Sequence, residues 1–211
     1  MSWPFFLLPL GVFLAGAVLK ARAIRHARPF GLSLRACEAA RGILDHAGRP
    51  ETAVESGWGR GGAQVLQLRP ALYESREAWD VGEAALLAGM LVEEAAHPLV
   101  RVLRDLAESL APSFFTAALA CFLAALVLSD ARGALAAGGA VFANLWMDLA
   151  VVLAVLRWRG AGRAKRGLQA AMPAAEALRA AQAAGAQIFD PLGGSILRWL
   201  DLGWRSAKKR A

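Results

Sequence analysis

Cysteine is scarce in this chain, which has only Cys37 and Cys121 among its 211 residues. Cys121 lies inside an apolar run and no Cys-x-x-Cys pair occurs, so neither a disulfide framework nor a cysteine-based metal or redox centre is predicted. The glycine-rich stretch GWGRGG, 57–62, is not followed by Gly-Lys-Ser/Thr, and Gly-x-Ser-x-Gly does not occur. These absences exclude a Walker phosphate loop and a serine-hydrolase elbow. Basic motifs interleaved with aromatics are also lacking, so nucleic acid is not an expected partner.

Charged residues are almost absent from three long segments. These are 3–19 (WPFFLLPLGVFLAGAVL), 112–129 (PSFFTAALACFLAALVLS) and 134–156 (ALAAGGAVFANLWMDLAVVLAVL), and the last contains one acid, Asp148. The chain is 57% hydrophobic, with a mean hydropathy of +0.41. Each segment approaches the roughly 20 residues that cross a bilayer core. We therefore predict an integral membrane protein with about three transmembrane helices and a tight turn at 129–133.

Arginine and lysine cluster directly after the first and third segments. The clusters comprise Lys20, Arg22, Arg25, Arg28, Arg157, Arg159, Arg163, Lys165 and Arg166. The positive-inside rule places both clusters in the cytoplasm and the N-terminus outside. The first segment has no basic region before it, which favours an anchor over a signal peptide. Abundant arginine and alanine favour a bacterial source, so we predict a bacterial inner-membrane protein with cytoplasmic polar regions.

The polar regions predict a small, mostly helical cytoplasmic part, so the fold class is mainly α. Helical spacing occurs at 34–47 and 76–96, and AVES and QVLQL predict two short strands forming a β-hairpin. The predicted organisation is an anchor at 1–24, a cytoplasmic region at 25–110, a transmembrane hairpin at 111–157 and a helical region at 158–211. In the last region, Ile196, Leu197, Leu200 and Trp204 share one side, which suits either an amphipathic helix on anionic lipid or a packed helix.

The stretch LVEEAAHPLV, 91–100, ends the second predicted helix. Glu93 and His97 continue an apolar stripe, so we expect the buried face to carry both, one turn apart and close enough to bind one metal ion. Zinc peptidases have His-Glu-x-x-His at such a place. Here Glu94 would be the base that activates water and His97 a ligand, while Glu93 replaces the first histidine. Taken alone, the pattern Glu-Glu-x-x-His is more simply interpreted as an ordinary polar helix end.

The order of features resembles the bacterial membrane-associated neutral zinc metallopeptidases, the YugP-like family. The resemblance rests on EAARGILDHAG (38–48), LRPALY (68–73), MLVEEAAHP (90–98), a two-span hairpin and LRWR (156–159). It extends from about residue 20 to about residue 200. It implies a membrane-bound zinc peptidase fold in which Glu94 and His97 match the base and one ligand of the family.

The departures from this family fall on its chemistry. Glu93 stands in place of a ligand histidine, Ala96 in place of a glycine, and Pro98 follows the remaining histidine. The acidic loop motif of the family has no counterpart in 57–64. Arg159 or a neighbouring residue lies where a ligand glutamate is expected, and no acid lies near it. A guanidinium at that position would repel zinc. We therefore predict a pseudopeptidase that acts as a binding or scaffold component, with Glu93, Glu94 and His97 as remnants and no cofactor.

Two other interpretations stay open. The first is an active zinc peptidase with Glu94 as base, His97 as ligand and a further acid from Asp45, Glu51 or Glu55. The second is an unrelated small membrane scaffold that binds protein or anionic lipid. The expected partners are membrane lipid and a membrane protein or peptide.

The third apolar segment carries two polar residues one turn apart, Asn144 and Asp148. An acid at such depth is a functional candidate. An interhelical hydrogen bond, or a place near the outer water interface, is the simpler explanation.

Overall fold

The computed structural model describes residues 30–58 and 64–189, together with Val18, Ala21 and Arg22. Its described elements are α1 (Ala36–His46), β1 (Ala53–Ser56), β2 (Val65–Leu68), α2 (Pro70–Tyr73), α3 (Ala78–Ala96), α4 (Pro98–Val127), α5 (Arg132–Ala171), α6 (Ala174–Ala186) and a 3₁₀ turn (Gln187–Phe189). The prediction of a mainly helical protein is confirmed. The predicted first span, apart from Val18, and the amphipathic stretch from Ile196 to Trp204 lie outside the described residues.

Helix α1 forms the first wall of the core. The backbone N–H of Arg35 donates to the Glu38 carboxylate at 2.7 Å, which satisfies a free donor at the start of the helix. Ile43 and Leu44 are fully buried against the other helices. The helix ends before Gly48, whose φ of 72° is one that other residues rarely adopt.

The two strands pair in parallel, so the predicted β-hairpin is wrong. Ala53 lies opposite Val65 and Ser56 opposite Leu68. Sequence reasoning favoured a hairpin because a glycine-rich loop at 57–62 separates two short strand-like runs. In the parallel arrangement Leu66 and Leu68 both enter the core. Their spacing of two residues places both side chains on the same face of the strand.

Helix α3 runs through the centre of the helical domain, the part of the protein formed by α1, α3, α6 and the C-terminal part of α5. Its residues from Ala78 to Glu94 are mostly buried, and it packs against α1, α5 and α6. Gly82 permits the close approach of α6, because a β-carbon there would lie 2.8 Å from the Ala180 carbonyl oxygen. The core of this domain is therefore a set of helices held close together by alanine and glycine.

Helices α4 and α5 form a long antiparallel hairpin with a short turn at 128–131. Both are long and apolar enough to cross a membrane, with apolar windows of mean hydropathy 2.1 and 2.0. Their 30 and 40 residues exceed the roughly 20 needed for a span. Pro112, at the start of the predicted second span, lies inside α4. Each helix thus continues beyond the apolar segment.

The hairpin is closed by small residues and aromatic pairs. A β-carbon on Gly139 would lie 3.0 Å from the Phe122 ring. Phe115 and Trp146 rings also meet, with centroids 5.4 Å apart. Beyond the apolar segment, α5 packs against α1, α3 and α6, and it ends at Ala171. Helix α5 therefore connects the candidate spans to the helical domain.

Candidate functional site

Three of the predicted site residues lie at the end of α3. Glu93 and Glu94 are buried, with residue exposures of 3% and 6%. The helix ends at Ala96 because Pro98 follows and disfavours helical backbone in the residue before it. His97 sits between α3 and α4 and caps both helices. The end of the helix thus brings two carboxylates out of water, where each requires a partner.

Two arginines of α5 provide the partners of Glu93. The Arg159 Nη2 atom lies 2.5 Å from Glu93 Oε1, and Arg163 Nε donates to Glu93 Oε2 at 2.9 Å. Arg159 and Arg163 are one helical turn apart, so both face the same carboxylate. Each oxygen of Glu93 therefore contacts a guanidinium.

A close contact between α3 and α5 positions this cluster. A β-carbon on Gly160 would lie 3.0 Å from the Met90 backbone nitrogen. On the α3 side, a β-carbon on Gly89 would collide with the Gly160 carbonyl oxygen and lie 2.8 Å from the Ala164 nitrogen. Glu93 is one turn beyond Gly89, while the arginines precede Gly160 and Ala164 by one residue each. The crossing of α3 and α5 therefore brings the Glu93 carboxylate to the two arginines.

Glu94 has a separate partner on α4. Arg104 donates to Glu94 Oε1 and, at 3.1 Å, to Asp105 Oδ1. Burial raises the pKa of Glu94, and the positive charge of Arg104 opposes the rise. The side chain that family resemblance assigns as a base is therefore engaged in an ion pair that ties α3 to α4.

His97 does not lie on the buried face, so that prediction is wrong. Its side chain is 50% exposed, and its Nε2 atom lies 3.8 Å from Glu93 Oε1. The prediction extended the helical spacing of α3 through residue 97, but the helix ends at Ala96. With a φ of −137°, His97 leaves the helical path and its ring turns toward the surface.

The residues do not fit a zinc ion. A catalytic zinc site needs three protein ligands and an open position. No group of three His, Cys, Asp or Glu side chains suited to a metal occurs within 30–58 and 64–189. Two of the three suggested extra acids have basic neighbours of their own, with Asp45 beside Arg41 at 3.7 Å and Glu51 beside Arg49 at 3.3 Å. At Glu93, guanidinium groups occupy the positions beside the carboxylate that a metal ion would need.

Sequence reasoning found Glu93, Glu94, His97 and Arg159, and the structure brings all four to one region. It did not identify Arg163 and Arg104 as the other arginines that pair with these carboxylates. Arg163 carries a detectable signal, since it repeats Arg159 at a spacing of four residues. Arg104 carries none that is specific, because charged residues are common along the first turns of α4.

Comparison with family models, curated proteins and solved structures finds no match to this chain.

Proposed function

We propose that this chain is an integral membrane protein with three spans, formed by 3–19, α4 and α5. The N-terminus lies outside, and both polar regions lie on the cytoplasmic side of a bacterial inner membrane. The basic residues after the first and third apolar segments support this orientation.

The exposure of the hairpin supports membrane insertion. Only 17% of the apolar window of α4 and 33% of that of α5 is buried. A core helix of a soluble domain would be mostly buried. Large apolar side chains face outward instead, including Leu119, Leu123 and Leu126. Hydrocarbon is the solvent in which such a surface is stable.

Topology reporters test the arrangement of the spans. A reporter fused after Ala131 should report the outside and one fused after Gly167 the cytoplasm. Membrane retention after carbonate washing should accompany both. Finding the two reporters on the same side would contradict the arrangement.

The proposed activity is binding without hydrolysis, as a pseudopeptidase-like scaffold. The observation that carries this proposal is Glu93, whose two oxygens face Arg159 and Arg163. These guanidinium groups supply the positive charge that a metal would otherwise contribute, and they repel added zinc. The exposed side of the helical domain would bind a membrane protein or peptide, or anionic lipid.

Metal analysis of the purified protein tests this proposal. Wild-type protein loaded with zinc and then desalted should retain far less than one zinc per chain. Protease assays on casein and membrane-protein fragments should give the same rate for wild type and Glu94→Gln. Stoichiometric zinc that disappears in His97→Ala would contradict the proposal.

An active zinc peptidase is the second candidate. It is favoured by the buried Glu94, whose raised pKa is the direction expected of a proton-accepting carboxylate. It requires Arg104 to release this side chain and a third ligand to join His97. Cleavage that Glu94→Gln abolishes while Glu108→Gln preserves it would establish this candidate.

An engineered pair separates a degenerate peptidase from an unrelated scaffold. The double variant E93H/R159E places the residues of the zinc family at both altered positions. Zinc bound by this variant, and lost again on His97→Ala, is expected of a degenerate peptidase. An unrelated scaffold would gain no zinc.

A further inference from the structure

The first half of α4 carries an apolar surface on an exposed side. We call this surface the α4 stripe, and it consists of Leu99, Val102, Leu103, Leu106 and Leu110. Their spacings of three, one, three and four residues place them within an arc of about 100° around the helix. Leu99 is 76% exposed and Val102 is 62% exposed. The stripe therefore presents large apolar side chains that are accessible in the described part of the chain.

The other sides of α4 have contacts of their own. Val100 and Ala107 are buried on one side of the helix. Arg101 and Arg104 lie on the side away from the stripe, and Arg104 pairs there with Glu94 of α3. The α4 stripe is thus a separate face, which neither the hairpin contact nor the ion pair with α3 uses.

The register of the hairpin shows how deep the stripe lies in the span. Phe115 meets Trp146, and Phe122 lies against Gly139. Both pairs follow one antiparallel register, by which 99–103 of α4 are level with 158–162 of α5. Those α5 residues follow Leu156, the last residue of the third apolar segment. Since this step rests on the proposed membrane insertion, the first part of the stripe lies outside the hydrocarbon, where lipid tails do not cover it.

The described chain ends at the level of this surface. Ile188 of the 3₁₀ turn is buried against Ala150 and Ala154 of α5. Arg157 Nη1 donates to the Gln187 carbonyl oxygen at 3.1 Å and fixes the turn there. By the register of the hairpin, Ala154 is level with Ala107, in the middle of the stripe. Residues 190–211 therefore begin beside the surface that needs a cover.

We propose that residues 196–204 of this chain cover the α4 stripe as an amphipathic helix. The apolar residues Ile196, Leu197, Leu200 and Trp204 share one side of this segment and would face the stripe. The connection 190–195 contains Pro191, Gly193 and Gly194 and can span about 20 Å. Packed helices lie about 8–10 Å apart. The segment can thus reach α4 without any change in the described fold.

The docking removes two apolar surfaces from water at once. Leu200 and the other apolar residues of the segment lose contact with water, as do Leu99 and Leu103 of α4. Arg198 and Arg205 lie on the other side of the segment. They stay in water, beside the lipid headgroups, where a positive charge is favourable. The segment therefore closes the cytoplasmic end of the hairpin.

Disulfide cross-linking in lipid vesicles tests the docking. Cysteine pairs are placed in a C37S/C121A background, with Leu200→Cys as the common member. The second cysteine replaces Leu99, Leu103 or Leu106 on the stripe. Oxidation should link at least one of these three to position 200. Mass spectrometry identifies the linked peptides, and a monomer band on a non-reducing gel shows that the link lies within one chain.

Arg101→Cys, paired with the same Leu200→Cys, is the matched control. It lies on the charged side of α4, with a side chain 47% exposed, while Leu103 is 48% exposed. This pair should stay largely unlinked. Equal linking of the control, no linking of any stripe position, or links only between chains would each overturn the docking.

Thiol labelling separates a protein cover from a lipid cover. A single Leu103→Cys should react with a soluble maleimide about ten-fold more slowly than a single Arg101→Cys, because burial of one apolar side chain is enough for such protection. The double substitution L197K/L200K should abolish the difference. Protection that persists in this variant would mean that lipid covers the stripe and would overturn the docking. If circular dichroism shows that L197K/L200K has lost helix, the cross-linking result decides alone.

Carbonate washing separates this failure from that of the proposed function. Protein retained in the membrane without a link between α4 and position 200 contradicts the docking alone. Linked protein that the wash releases contradicts membrane insertion and leaves the docking in place.

Discussion

Gly89 of α3 and Gly160 of α5 are in direct backbone contact. A β-carbon on Gly89 would collide with the Gly160 carbonyl oxygen and lie 2.8 Å from the Ala164 nitrogen. The contact is important because backbone cannot move aside as a flexible side chain can. The position of Glu93 beside Arg159 and Arg163 depends on this approach.

Gly89→Ala should therefore destabilise the protein. The added methyl forces α3 and α5 apart, at a cost of about 1–3 kcal/mol. For a chain of this length each kcal/mol lowers the melting temperature by about 2–4 °C. Gly162→Ala is the matched control, since a β-carbon there meets nothing within 4 Å. Tryptophan fluorescence during heating in detergent measures both variants, and equal melting temperatures would contradict the contact.

Glu93→Gln should also destabilise the protein. The substitution leaves Arg159 and Arg163 without their shared carboxylate. Both guanidiniums reach water, with exposures of 45% and 34%, so the expected loss is about 2 kcal/mol, below that of a fully buried pair. Glu74→Gln removes the exposed pair with Arg35 and should lower stability much less, because water and salt screen exposed ion pairs. Thermal melts of the two variants test this prediction. A melting temperature of Glu93→Gln equal to that of the wild type would mean that the cluster does not stabilise the protein.

The pKa of Glu176 should lie below the ordinary range of a glutamate. The hydroxyl and the backbone N–H of Ser33 donate to its Oε2 atom at 2.6 and 2.9 Å, and the charged form is thereby favoured. Because the folded pKa is lowered, the stabilisation is present above the pKa of the unfolded chain. It is lost as the pH falls through the folded value.

Carboxyl NMR of protein labelled at glutamate measures this pKa. Ser33→Ala should raise it by removing the hydroxyl bond, and part of the shift should remain through the backbone N–H. Glu38→Gln is the control for resonance assignment, because it removes the carboxyl signal of another exposed glutamate. A Glu176 titration that Ser33→Ala leaves unchanged would refute the assigned cause.

Thr52→Val should stabilise the protein. Thr52 is fully buried, and its hydroxyl has no hydrogen-bond partner in the described part of the chain. Replacing a buried unsatisfied hydroxyl with a methyl of similar size removes a desolvation cost of about 1–3 kcal/mol. Thr116→Val is the control, because the Thr116 hydroxyl is exposed and bonds to the Pro112 carbonyl at 2.9 Å. A lower melting temperature for Thr52→Val would show that the hydroxyl is satisfied in solution.

The sequence by itself determined the features that local physics controls. Apolar length predicted the two long helices of the hairpin, and the helical spacing at 76–96 predicted a helix that ends near Ala96. These features depend on neighbouring residues, whose backbone preferences and hydrophobic spacing are visible in the chain. This local reasoning failed at His97, because one residue of non-helical backbone was enough to turn its side chain to the surface.

Only the tertiary structure decided what surrounds Glu93. Arg163 is 70 positions away in the chain, and its distance from the carboxylate is set by how closely α3 and α5 approach through Gly89 and Gly160. The parallel pairing of Ala53 with Val65 was likewise visible only in the tertiary structure. Contacts of this kind depend on packing of the whole chain, and local sequence carries little information about them.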